Sequence, residues 1–524
     1  MVIRKWWIVL IALVLNTGSY AQSPPQNWFH LDLAKDGYPG VSTIRTYDEL
    51  LKGRTAQPVV VAVIDGGTDV NHEDLKANIW INKREIADNA MDDDGNGYID
   101  DVHGWNFIGG KKGNVRYDTF ELTRLYKSLN SKYGKMNPAE VPAAEKDAYS
   151  RYLAIKEEYE EKSKESRYNY ALYSGILQSI KFMLADLGNE NPTLEEVEAY
   201  EPDNDSSMIT RQILIAILKE GNSLPEVMSE LKEGIESVET GAMYHYNPDY
   251  DPRHIVGDNY EDDTERFYGN ADVAGPDALH GTHVAGIIGA DRTNGIGING
   301  VADHAQLMII RVVPDGDERD KDVANAIRYA ADNGAKVVNM SFGKGYGYDK
   351  KAVDDAVKYA ASKDVLLVHA SGNDGQNNDK SERFPSDRFI DGTSPANWLE
   401  VGASSYDKDV AAFSNYGKKN VDVWAPGVAI YATVPGNKYR NLQGTSMASP
   451  VAAGVAVMLR SYFPELTAAE TKEILKKSVV KLPEKVSLPG DESDKQVKLK
   501  KISVSGGIVN AYNAVQLAIK ETGK

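Results

Sequence analysis

From position 58 to 64 the chain reads Pro-Val-Val-Val-Ala-Val-Ile, continuously apolar and mostly β-branched. A short run without alternation predicts a strand buried on both faces of a parallel sheet. It stops at Asp65-Gly66-Gly67, where a turn would lift a carboxylate out at the strand's C-terminal edge. From about Tyr260 onward, short apolar runs alternate with amphipathic stretches. The runs 307–313, 336–340 and 365–370 predict strands, and the stretches 322–334 and 351–363 predict helices. Strands alternating with helices give an α/β fold with a mostly parallel central sheet flanked by helices in three layers. Sites in such folds gather at strand C-termini.

The texture changes between about 113 and 258. This part is rich in Lys, Glu and Tyr, and 149–187 carries a helical period with Ile176, Ile180, Met183 and Leu184 as an apolar stripe. Pro192-Thr193-Leu194-Glu195-Glu196 has the form of a helix start, and 209–220 continues the pattern. Residues 113–258 are therefore expected to be a helical subdomain inserted between a first part of the main domain, 58–112, and a second, 259–520. The insert should leave and re-enter at neighbouring points, and either gate access to a site or meet a partner. The polar segment 22–57 is expected to be an arm packed on the domain.

Arg4 and Lys5, the apolar run 6–15 and the small residues of Ser19-Tyr20-Ala21 predict a signal peptide, 1–21, cleaved after Ala21. The run is shorter than the ~20 residues that span a bilayer. Export across the cytoplasmic membrane follows, to a secreted or periplasmic location with no stable membrane span. With 77 acidic and 59 basic residues the net charge is −18, which argues against a nucleic-acid partner. The chain has no cysteine, so disulfides, zinc–thiolate sites and thiol nucleophiles are excluded.

Three polar residues stand in settings of small residues that a plain core would not need: Asp65, His280 in Leu279-His-Gly-Thr-His-Val-Ala-Gly, and Ser446 in Gly444-Thr-Ser-Met-Ala-Ser-Pro. A serine hydroxyl needs a base within hydrogen-bond reach, and the base needs an orienting group. A serine at a helix start also has free backbone N–H groups beside it, which can stabilise an oxyanion. The blocks IDGGTDVNHEDL, HGTHVAG, ASGNDG and GTSMASP resemble the signature blocks of the subtilisin-like serine peptidases, in the order Asp…His…Ser. The segments VVNMSFG, FSNYG, VWAPG and GIVNAYNAV are similar to that family as well. A G-x-S-x-G hydrolase elbow is excluded by Ala448 and by the order of the three residues.

The resemblance implies Asp65, His280 and Ser446 as orienting group, base and nucleophile, and Asn373 as a donor to the oxyanion. It implies that Ser341, Phe342 and Gly343 pair with an extended substrate. Ala370, Ser371 and Gly372 would form the opposite wall of the pocket for the residue preceding the cut. The expected partners are protein or peptide substrates, and the chain is expected to act as a monomer. His283, three residues after His280, is expected to be a packed, hydrogen-bonded histidine, since no third metal ligand is spaced beside it.

In Met91-DDDGNGYIDD, Asp92, Asp94, Asn96, Tyr98 and Asp100 follow the spacing of the first nine positions of an EF-hand-type loop. A structural Ca2+ is therefore expected there. His103 stands where the bidentate Glu would be, so Asp101 or another segment must complete the shell. The acidic stretch 258–265 lacks such spacing and is expected to be a solvated loop.

Overall fold

The structure is a computed structural model that describes residues 23–221, 223–493 and 495–524; the expected signal peptide lies outside them. Seven strands, β1 (Val59–Asp65), β2 (Gly104–Asn106), β3 (Ala305–Arg311), β4 (Val337–Met340), β5 (Leu366–Ala370), β6 (Trp398–Ser404) and β7 (Val423–Pro426), form one sheet in the order β2-β3-β1-β4-β5-β6-β7. Every pairing in it is parallel. A hairpin follows, β8 (Ile430–Val434) with β9 (Lys438–Leu442). The helices of ten residues or more are α1 (Glu121–Tyr133), α2 (Lys146–Leu187), α3 (Asp205–Lys219), α4 (Leu224–Thr240), α5 (Leu279–Gly289), α6 (Asp320–Asp332), α7 (Lys350–Ser362), α8 (Thr445–Tyr462), α9 (Ala468–Lys477) and α10 (Ala511–Thr522).

The two-residue period of a strand divides each apolar run between two cores. Val61, Val63, Leu307, Ile309, Val337, Leu366 and Val368 face one side, packed with α5, α8, α9 and α10. Ala62, Ile64, Met308, Ile310, Val338, Met340 and Leu367 face the other, against α6 and α7. Each fully buried Val, Leu or Ile contributes roughly 1.5–3 kcal/mol over leaving it in water. A run with no polar position is thus what a sheet covered on both faces requires.

The chain leaves β1, returns through α5 as β3 on one side of β1, then crosses to β4 on the other. Strand order reverses around β1, and a crevice opens at the strand ends there. Asp65 closes β1 at that edge. The arm beyond residue 22 buries Trp28 and Phe29 in the first core, and Trp28 Nε1 donates to the carbonyls of Val428 and Ala429 at 3.2 Å each.

Helices α1–α4 occupy residues 121–240. Ile180 and Met183 of α2 join Leu214 and Ile217 of α3 and Leu224 of α4 in a core of their own, with Ile176 and Leu184 packed on it. Thr193 and Glu196 form a reciprocal cap at the short helix between α2 and α3. The segment's two ends meet: Phe120 N–H donates to the His245 carbonyl at 3.1 Å, and the two rings pack at a tilt with centroids 4.2 Å apart.

Its root is fixed to the sheet by buried charges. Lys344 Nζ, wholly buried, lies 2.8 Å from Glu121 Oε2 and 2.7 Å from Asp320 Oδ1, and it donates to the Glu318 carbonyl. Burial alone would raise the Glu121 carboxyl, but Arg124 and Lys344 hold it down to about 2. Asp258, expected in a solvated loop, instead has its carboxylate buried between Arg253 (2.6 Å) and Lys321 (2.8 Å). Those cations are themselves buried, and a charge out of water needs a partner. Removing one partner of such a cluster costs about 3–5 kcal/mol. Lys344→Met should therefore lower the thermal unfolding temperature sharply, and adding Glu121→Gln should recover part of the loss. Unchanged calorimetric melting of Lys344→Met would refute this role.

Candidate active site

Asp65 is carried to the crevice by β1 and is 2% exposed. The glycines after it are required: Gly67 has φ +137°, and a Cβ there would run into the Ala274 carbonyl. The Asp65 carboxylate accepts from Gly66 N–H at 2.8 Å and lies 2.8 and 3.0 Å, by its two oxygens, from His280 Nδ1. Since a carboxylate can only accept here, Nδ1 carries the proton and Nε2 keeps its lone pair. His280 stands in the first turn of α5 with its side chain 42% exposed, and no described group takes Nε2. Burial pulls the imidazole pKa down. The Asp65 charge and hydrogen bond, with Asp277 adding, outweigh this and leave it above its ordinary 6.5.

Ser446 is the second residue of α8, whose body is buried almost throughout. Its hydroxyl donates to the Ser341 carbonyl at 3.1 Å, and the Ser341 hydroxyl donates back to the Ser446 carbonyl at 2.8 Å. Ser341 also lines, with Asp65 and His280, a cleft of about 370 Å³. Asp65 and His280 thus line one cleft and are bonded directly, while Ser446 is not among its lining residues and is joined to it through Ser341.

Asn373 follows β5 and is exposed. Its Oδ1 accepts from both the N–H (2.9 Å) and the hydroxyl (3.0 Å) of Thr445. That fixes the amide the other way round, so Nδ2 is the free end. Neither Nδ2 nor the Ser446 N–H has an acceptor among the described residues. A Cβ added at Gly444 would stand 3.6 Å from each, so the two donors converge over that glycine. A hydroxyl, an oriented imidazole and two free N–H donors at a helix N-terminus are the equipment of acyl transfer.

Residues 341–343 follow β4 and line the cleft, and 370–372 lie at the end of the neighbouring β5, outside its lining. Gly372 has φ +104°, and a Cβ there would meet Asn415 Nδ2 at 2.5 Å. Its N–H donates to Thr445 Oγ1 at 3.2 Å, and Ser371 Oγ donates to the Asn415 carbonyl. His283 is fully buried, with Nε2 3.1 Å from the carbonyls of Ile430 and Arg440, and burial pushes it down to about 4.

The loop around Asp92 brings in a carboxylate from outside the expected ligand set. Asp92 and Asp94 converge with Glu85, which the spacing rule did not include; their ligand oxygens lie within 4.8 Å of one another. Asp100, at φ +56°, turns away to accept from the N–H groups of Asn89 and Ala90. Asn96 gives its amide to Asp101, and Tyr98 buries its ring against Trp105 and Tyr329. Asp101 is used up by Asn82, Asn96 and Tyr329, and burial pushes its carboxyl up to about 6. It anchors the loop from below. His103 Nδ1 turns to the Trp80 carbonyl.

Sequence reasoning also passed over Arg311, the last residue of β3. It is buried, its Nε donates to the Gly66 carbonyl at 2.7 Å, and burial lowers it to about 10. Only the β1–β3 pairing of Asp65 with Arg311 brings it under the Asp65 turn.

Residues 56–497 match the family model described as the subtilase family. Among curated proteins, the chain is 38% identical over 229 residues to the thermophilic serine proteinase of Bacillus sp. (strain AK1), covering 43% of this chain and 52% of that protein. It is 40% identical over 214 residues to the cell wall-associated protease of Bacillus subtilis (strain 168), covering 40% of this chain and 22% of that protein. The chain therefore spans about half the length, or less, of these relatives. A protease structure from Pseudoalteromonas arctica PAMC 21717 aligns with a TM-score of 0.39 and 28% identity, over 48% of this chain and 78% of that one. With a family match across most of its length, this chain belongs to the subtilase family.

Proposed function

We propose that the protein is an exported serine endopeptidase that hydrolyses peptide bonds in proteins through an acyl-enzyme at Ser446. The observation that carries this is the Asp65–His280 pair, which leaves Nε2 free toward a cleft that the Ser446-bonded Ser341 also lines. Ser446 attacks the carbonyl carbon. His280 Nε2 takes the hydroxyl proton and later returns it to the leaving amine, while Asp65 holds the ring and balances the imidazolium charge. The oxyanion is received by the Ser446 N–H and Asn373 Nδ2. Water then repeats the sequence on the acyl-enzyme and releases the acid. In this reading, segments 341–343 and 370–372 bind the substrate backbone and the residue preceding the cut.

Export rests on the N-terminal pattern of charge, apolar run and small residues. No helix among the described residues is long and apolar enough to cross a membrane. We take 113–258 as a subdomain inserted into the catalytic domain, and the chain as acting alone.

A calcium ion fits the Asp92 loop by its donor chemistry. Glu85, Asp92 and Asp94 offer an all-oxygen, anionic set suited to a hard cation, on a loop anchored below by buried Asp101. Its contribution would be to hold this loop and, through Asp101 and Tyr329, the face of the second core.

Casein hydrolysis by the wild type, blocked by a serine-directed covalent inhibitor and reduced to background in Ser446→Ala, is the expected outcome. Equal digestion by both proteins would sink the assignment. Because the base must be neutral and its pKa is raised, kcat/KM should fall as pH drops through a midpoint above 6.5. Asp65→Asn should move that midpoint down while lowering the rate; a midpoint that stays put would remove Asp65 from the role. Chelation should lower the unfolding temperature by several degrees, since an ion present at 100-fold its Kd stabilises by about 2.7 kcal/mol. Added Ca2+ should restore it in the wild type and not in Asp92→Asn/Asp94→Asn. Identical melting curves with and without chelator would dismiss the ion.

A further inference from the structure

Directly beneath the 341–343 segment lies a second histidine–carboxylate pair that the proposed chemistry does not use. His369, 2% exposed on β5, has Nδ1 2.9 Å from Glu400 Oε2 and 3.1 Å from Oε1. Its Nε2 is 2.8 Å from the Phe342 carbonyl. Glu400, on β6, is steadied by Trp398 Nε1 at 2.8 Å, and its backbone N–H donates to Asp422. Asp387 faces the same carboxylate from the loop beyond β5. The Phe342 carbonyl can only accept, so Nε2 carries a proton, and Nδ1 is held against the Glu400 carboxyl.

The contact reaches the cleft through one peptide plane. The Phe342–Gly343 peptide is trans, so its C=O and N–H point in opposite directions. A carbonyl tied down to buried His369 turns the Gly343 N–H away from the core. That N–H has no acceptor among the described residues. Gly343 itself sits close to the pair: a Cβ built on it would lie 3.6 Å from His369 Nε2 and 3.3 Å from the Phe384 carbonyl.

We propose that His369, locked by Glu400, is a positioning residue that fixes the Phe342–Gly343 peptide so that the Gly343 N–H can receive a backbone carbonyl of an extended polypeptide substrate. This deepens the peptidase reading and rests on it. His369 touches neither substrate nor reacting atoms; it sets the direction of a donor that does.

The test compares a hexapeptide amide, long enough to reach Gly343, with an N-acetyl amino-acid ester that carries the same residue before the cut and no further backbone. Concentrations are normalised by active-serine titration. In His369→Leu the ratio of kcat/KM for hexapeptide over ester should fall about tenfold, mostly through KM, the effect of one lost backbone hydrogen bond. His369→Gln, which keeps an amide donor within reach of the Phe342 carbonyl, should recover part of the ratio. An unchanged ratio, or an equal loss on both substrates, would overturn the proposal. Binding of the hexapeptide to Ser446→Ala, with and without His369→Leu, reads the same effect without turnover: about tenfold weaker binding supports the proposal and equal affinity refutes it. A wild type that binds the hexapeptide with this His369 dependence but hydrolyses neither substrate would fault the peptidase reading alone.

Discussion

Pro450 sits inside α8 and has no N–H to give, so the carbonyl four residues before it, that of Ser446, lacks its helical donor. The Ser341 hydroxyl supplies one, and the Ser446 hydroxyl answers to the Ser341 carbonyl. A missing hydrogen bond in one helix is thus satisfied by the residue that begins the neighbouring segment 341–343. An unpaired carbonyl in this buried setting would cost about 1–3 kcal/mol. The start of α8 and the end of β4 are therefore held in one register, and the cleft inherits its geometry from that register. Ser449 extends the same seam, donating to Asn339 Oδ1 at 2.8 Å inside β4.

The segment after β4 is held at further points, each by a different physical device. Phe342 is bonded from below by His369, which Glu400 holds in turn. Lys344 pairs with Phe384 by two backbone bonds, and its ammonium is closed into the Glu121–Asp320 pocket. Tyr346 bonds Glu158 of α2 and packs with Tyr159 and Leu125. A short irregular segment without sheet partners on its open side would otherwise be among the least ordered parts of the chain. Here polar anchors every second residue leave its other edge extended and unpaired, the form that strand addition requires.

The sequence made some of this legible and some not. The runs 58–64, 307–313 and 365–370 were readable as strands because both of their faces meet apolar layers; 58–64 carries no polar position, and the other two carry one each, Arg311 and His369. The stripe of Ile176, Ile180, Met183 and Leu184 located the insert's own core for the same reason, and Thr193 with Glu196 marked a helix start by local bonding alone. Glu85 was missed because it joins Asp92 and Asp94 through loop folding rather than through a fixed interval. His369 read as one polar residue in an apolar strand, and only the β5–β6 pairing of His369 with Glu400 reveals its partner. Asp258 was misjudged because an acidic run is ordinarily solvated, and its cations, Arg253 and Lys321, stand on other elements. Local pattern records burial and capping; it does not record which distant charges meet.

The same distinction bears on the insert. A long helical segment placed between Asp65 and His280 invites the picture of a free lid. Its root contradicts that picture, since Glu121, Arg124 and Asp118 are buried with Lys344, Asp320 and Arg319. Swinging the root outward would strand charges from both sides, at about 3–5 kcal/mol for each broken pair. The far end is different: α3, α4 and the end of α2 close on a small core of their own. Between root and tip, Arg151 and Glu158 of α2 line a cavity of about 1000 Å³ together with Tyr346, Arg383 and Phe384. Anything that enters this cavity meets the insert and the cleft segment together. The buried pairs oppose hinging at the base, and the 42 residues of α2 join that fixed root to the separate core at the far end.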